Sequence, residues 1–107
     1  MTNEIDLAAL CDDPDRAAEF CFALANRNRF LILSHLMHRE MQTSELVSQI
    51  KISQPAVSQH LVKLLDLQII SARQEGRKTY YKPSSPQAER IMLPLANLFA
   101  PIDTSHR

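Results

Sequence analysis

The chain has 107 residues, one domain's worth, with 45% hydrophobic and 22% charged residues, as expected of a globular protein. One glycine, two cysteines and no tryptophan argue against a β-sandwich, a glycine-rich nucleotide loop and a disulfide-stapled scaffold. The net charge is zero but uneven: residues 1–25 carry six acids against one base, and residues 51–82 carry six bases against two acids.

Residues 1–12 show no clear period and are predicted to form a loose arm. No stretch is long and apolar enough to span a membrane, and the N-terminus lacks the basic start of a signal peptide, so a cytoplasmic protein without membrane partners is expected. Asp13-Pro14 reads as N-cap and first helical residue. Ala17, Phe20, Cys21 and Leu24 then follow at helical spacing as one apolar face. A second helix is predicted from about Asn28 to His38, with Phe30, Leu33, Leu36 and Met37 inward. Thr43 or Ser44 is expected to cap a short third helix carrying Leu46, Val47 and Ile50, and Lys51-Ile52 forms a tight connection.

Ser53 caps a fourth helix with Pro55 in its first turn. Val57, Leu61, Leu64 and Leu65 form its apolar stripe. Gln54, Ser58, Gln59, Val62 and Lys63 lie opposite, a face rich in uncharged hydrogen-bonding groups. Two short helices about three residues apart, the second with such a face, fit a helix-turn-helix. Residues 70–74 and 79–81 read as strands around Gly76, whose freedom at φ > 0 suits a hairpin tip. Arg73, Arg77, Lys78 and Lys82 make that hairpin basic, which suits a wing against phosphates. Ser85-Pro86 opens a last helix, apolar nearly all round from Ile91 to Phe99. Pro94 is expected to kink or split it. Residues 13–100 thus form one mainly α domain with a two-stranded wing, and residues 101–107 a frayed tail.

Three segments carry a resemblance to a family. ALANRNRFLIL, ISQPAVSQHLVKL and RQEGRKTYY are similar to the second-helix opening, the recognition helix (LSQ-x-x-VSQHL-x-x-L) and the wing (R-x-EGR-x-x-YY) of the ArsR/SmtB family of winged helix-turn-helix repressors. The match runs without gaps from about Leu24 to Tyr81, roughly half of the chain. Three positions depart from the pattern: Leu65 replaces a frequent arginine, Gln68 a capping glycine, and Gln74 a basic wing residue. The resemblance implies a homodimer that occupies an inverted-repeat operator in double-stranded DNA and represses transcription, and it implies no enzyme activity.

The expected DNA contacts are Ser53, Gln54, Ser58, Gln59 and His60 toward bases or the groove, with Lys63, Arg73, Arg77 and Lys78 on phosphates. The family's Cys-x-Cys metal site would fall at Gln42 and Ser44, and its last-helix site needs Asp and His that residues 67–102 lack. No metal or cofactor is therefore expected. A dithiol sensor of one branch of the family would need cysteines where this chain has Ser34 and no partner in the last helix. Cys11 and Cys21 form a candidate redox or thiophilic-metal pair, although Cys21 beside Phe20 and Leu24 is favoured as a small core residue. His35 and His38 are favoured as a solvated pair. Two further readings stay open: a regulator without a sensor that displaces other proteins from promoters, and a protein-interaction module on a winged-helix scaffold.

Overall fold

The computed structural model describes residues 6–84 and 86–101. Residues 1–5 of the expected arm, Ser85 at the expected opening of the last helix, and residues 102–107 of the expected tail lie outside these. The order is α1 (Leu7–Leu10), α2 (Pro14–Leu24), α3 (Arg27–Leu36), α4 (Thr43–Ile50), α5 (Gln54–Asp66), β1 (Ile70–Glu75), β2 (Lys78–Pro83) and α6 (Pro86–Leu98).

The arm segment thus holds one helical turn where no period was legible. Asp6 closes it, accepting from the Ala9 N–H at 3.2 Å. Asp13 caps α2 as expected, its carboxylate accepting from the Arg16 N–H at 3.0 Å with Pro14 following. The buried residues of α2 are Phe20 and Ala23, whereas Cys21 is exposed. The expected apolar face is therefore rotated: the close approach to α3 favours a small side chain at Ala23, and Cys21 does not reach the core. Asn26 starts α3, its side chain accepting from the Asn28 and Arg29 N–H groups. That helix buries Ile32, Leu33 and Leu36.

Gln42, not Thr43 or Ser44, is the N-cap of α4. Glu45 folds back to accept from the Gln42 N–H at 3.0 Å, which fixes the start one residue earlier. Lys51 takes a left-handed conformation (φ 65°) and its N–H closes α4 on the Val47 carbonyl at 2.8 Å. The chain turns there, and the Ser53 hydroxyl accepts from Ala56 N–H at 3.2 Å to open α5. Leu46 of α4 packs in the core with Val57, Leu61 and Leu64 of α5. This is a helix-turn-helix.

Helix α5 ends in a Schellman motif built on glutamine. The Gln68 N–H donates to Leu65 carbonyl at 2.9 Å, and the Ile69 N–H to Leu64 carbonyl at 3.0 Å. Gln68 is left-handed (φ 60°), a conformation that costs a non-glycine residue about 1 kcal/mol. The Ser84 hydroxyl donates to the Gln68 carbonyl, and Ser84 N–H donates to Ile69 carbonyl at 2.9 Å. The far end of the hairpin thereby ties down the cap that glycine usually fills.

Strands β1 and β2 pair antiparallel, from Ile70 opposite Pro83 to Glu75 opposite Lys78. Gly76 and Arg77 make the two-residue tip, with Gly76 at φ 63° as expected. Tyr81 also bridges to Met41, with N–H···O distances of 2.9 and 3.3 Å in the two directions. Helix α6 runs through Pro94 unsplit. Pro94 and Arg90 are both exposed, so water can satisfy the Arg90 carbonyl that the missing N–H leaves free. Ala88 and Met92 are its buried residues, while Leu93, Leu98 and Phe99 stand exposed. No helix among the described residues is long and apolar enough to cross a membrane.

Candidate nucleic-acid interface

The core stripe of α5 leaves an outward face whose members are set by helical phase. Gln54, Gln59, Val62 and Lys63 are exposed, and Ser58 is half-buried. Ser53 is exposed, with its hydroxyl already engaged as the helix cap. Gln54 and Gln59 carry both donors and acceptors and make no side-chain hydrogen bond among the described residues, so both amides are free to bind.

His60, the remaining expected contact on α5, lies between the outward face and the core. It is half-buried, and burial, with the nearby Arg29 charge, holds its imidazole below the ordinary histidine pKa. Protonation is thus opposed in the folded state and allowed in the unfolded chain, so stability is full above pH ~6.5 and falls below it. We expect Tm to drop between pH 7.5 and 5.5, and His60→Gln to flatten that drop. Equal slopes for the two proteins would show that His60 is not the group responsible.

Lys63 also has a local partner. Its ammonium lies 5.7 Å from the centre of the Phe22 ring, and the Arg29 guanidinium lies 6.0 Å from the same ring. Arg29 further donates from Nε to the Ala23 carbonyl at 2.7 Å and from Nη2 to Phe22 carbonyl at 3.4 Å. It thereby satisfies the end of α2, sits at the start of α3 and bears on α5. Arg29 lies within the ALANRNRFLIL segment that carries the family resemblance, but no local pattern in the sequence signals these bonds.

Arg73, one of the expected phosphate contacts, already has partners within the fold. Its guanidinium donates to Glu40 at 2.7 Å and to Glu75 at 2.7 Å, and stacks 4.9 Å from the Tyr80 ring centre. The Arg73 hydrogen bond holds the Glu40 carboxyl below its usual range. Two carboxylates already use this cation, so it anchors the hairpin. Arg77 and Lys78, at the tip, are exposed and make no ion pair among the described residues. Glu45 is likewise held low, chiefly by the Gln42 N–H and then by Arg39 at 2.7 Å.

Cys11 and Cys21 are both free and exposed. Cys21 opens onto a groove between α2 and α6, beside Arg16, Phe20 and Ile91. Among the described residues, no three His, Cys, Asp or Glu side chains are gathered to hold a metal ion.

Comparison with known proteins joins this geometry to a family. The family model for bacterial regulatory proteins of the arsR family matches residues 26–72, from the start of α3 into β1. The chain is 36% identical over 88 residues to the nodulation protein NolR of Rhizobium meliloti, covering 82% of this chain and 72% of that protein. The structure of HlyU from Vibrio cholerae superposes with a TM-score of 0.79 at 30% identity, over 84% of this chain and 98% of that one. The homodimeric winged helix-turn-helix DNA-binding domain of Mb0332 from Mycobacterium bovis matches with a TM-score of 0.74 at 26% identity, over 92% and 89% of the two chains. With its helix-turn-helix, hairpin wing and these relatives, the chain belongs to the arsR family of bacterial transcriptional regulators.

Proposed function

We propose that the chain is a cytoplasmic, homodimeric repressor, not an enzyme, that occupies an inverted-repeat operator through residues 13–100. One observation carries this reading: α5 offers free amides at Gln54 and Gln59, and the hairpin that follows it carries Arg77 and Lys78 unpaired among the described residues. Amides read base edges, and cations hold the backbone. The dimer is supported by the exposed apolar side of α6 and by the homodimeric relative. It is also supported by the shape of one chain, whose 16.4 Å radius of gyration exceeds the ~13 Å of a compact chain this long.

The test is Gln59→Ala, measured on duplexes carrying every base at each operator position. Loss of a bidentate contact to adenine should erase about 1–3 kcal/mol of discrimination at one position per half-site. Stability should move by less than about 0.5 kcal/mol, because the residue is exposed. Unchanged preference at every position would remove Gln59 from the reading surface. Absence of salt-dependent duplex binding by the wild type would overturn the DNA-binding reading.

The exposure of Cys11 and Cys21 supports a second reading, in which their oxidation or a thiophilic metal relieves repression. Operator affinity that is the same before and after oxidant and soft-metal treatment would dismiss it.

A further inference from the structure

One residue breaks the polar character of the outward face of α5. Val62 stands one turn after Gln59 and about 60° round the helix from it. It is 55% exposed and does not pack against the core cluster. A β-branched side chain loses χ1 freedom in a helix, so valine at an exposed position brings no gain to the isolated fold. Lone surface aliphatics are ordinary elsewhere. This one faces the space that a duplex would fill if Gln59 meets bases. Lys63, the next residue, has its ammonium over the Phe22 ring and does not crowd the spot. Asp66, exposed one turn further along, is an acid and ends the surface that can approach DNA.

We infer that Val62 is a specificity-determining residue whose methyl groups seat against the 5-methyl of a thymine in the major groove. That methyl is the apolar feature by which the groove edges of base pairs differ, and small aliphatic groups recognise it. Gln59 and Val62 are separated by about 4.5 Å along the helix axis, against 3.4 Å between stacked bases. The thymine therefore lies within two base pairs of the base that Gln59 contacts. This assignment rests on the DNA-binding reading above and names the base that reading leaves open.

The experiment replaces thymine by uracil, which removes the methyl group alone. Preferred sites are first selected from random duplex with the full chain, and the base read by Gln59 is located with Gln59→Ala. Each thymine within two base pairs of it is then changed to uracil, and Kd is measured for the wild type and for Val62→Ser. At one such position uracil should weaken wild-type binding about fourfold per half-site, the value of one buried methyl-sized group. Val62→Ser should bind thymine and uracil equally there. Selected sites lacking thymine within that window, no position sensitive to uracil, or a thymine preference that survives Val62→Ser would each overturn the assignment. In those cases specific binding persists, so the DNA-binding reading stands; wild-type protein with no duplex binding removes both. The wild-type arm needs no folded variant, and an unchanged Tm for Val62→Ser secures the other.

Discussion

Leu98→Glu should convert the protein into folded monomers and lower operator affinity by about 10²–10⁴-fold, the factor gained when two linked modules bind together. Leu98 is 74% exposed and Phe99 79% exposed at the end of α6, while Ala88 and Met92 complete the core within one chain. The fold should therefore survive the charge, with a stability change near or below about 0.5 kcal/mol. A carboxylate placed in an apolar seam must be desolvated on association, and no cation of α6 beyond Arg90 stands near in sequence to offset it. Sedimentation and DNA binding decide the matter together. Leu95 is half-buried, so Leu95→Glu confounds folding with assembly and is the poorer test. A Leu98→Glu protein that remains dimeric would put the seam elsewhere, on α2 for example.

The second large effect concerns the hairpin tip. Arg77→Ala with Lys78→Ala removes two cations per chain and four per dimer. If each neutralises one phosphate, the log–log dependence of affinity on salt should become shallower by about 3.6. Specific and non-specific duplexes should weaken alike, because phosphates carry no base information. Arg73→Ala should behave differently: with its charge already shared between Glu40 and Glu75, it should move the slope much less. An unchanged slope in the double variant would take the hairpin away from DNA.

Local signals made most of the scaffold legible. Asp13-Pro14, Ser53-x-Pro55 and Gly76 each act through bonds or backbone angles within a few residues, and each stands where the sequence puts it. The stripe Val57, Leu61, Leu64 needs only helical period, and it fixed the outward face in advance. The misses were of other kinds. Thr43 and Ser44 are better intrinsic caps than Gln42, but Glu45 decides the start by reaching back. Cys21 and Ala23 exchanged places because the phase of a half-covered helix depends on how closely its neighbour approaches. Pro94 does not split α6; both it and Arg90 are exposed, where water can satisfy the carbonyl that the missing N–H leaves free. The surroundings of three expected contacts were also out of sight of the sequence: Glu40 lies 33 residues from Arg73, Lys63 has its ammonium over the Phe22 ring of another helix, and His60 is half-buried.

The double attachment of the hairpin bears on the operator proposed above. Met41–Tyr81 hydrogen bonds and the Glu40–Arg73 ion pair sew the base of the wing to the α3–α4 junction, and Ser84 sews its end to the close of α5. These bonds restrain the wing against both the α3–α4 junction and the end of the reading helix. If two such units pair in the dimer we propose, the distance and angle between half-sites are set by the seam between them. Inserting one base pair at the operator centre adds about 3.4 Å and about 35° of helical twist. Units restrained in this way should resist that change, so the cost should fall on the seam, and affinity for the proposed operator should depend on half-site spacing as well as on its bases.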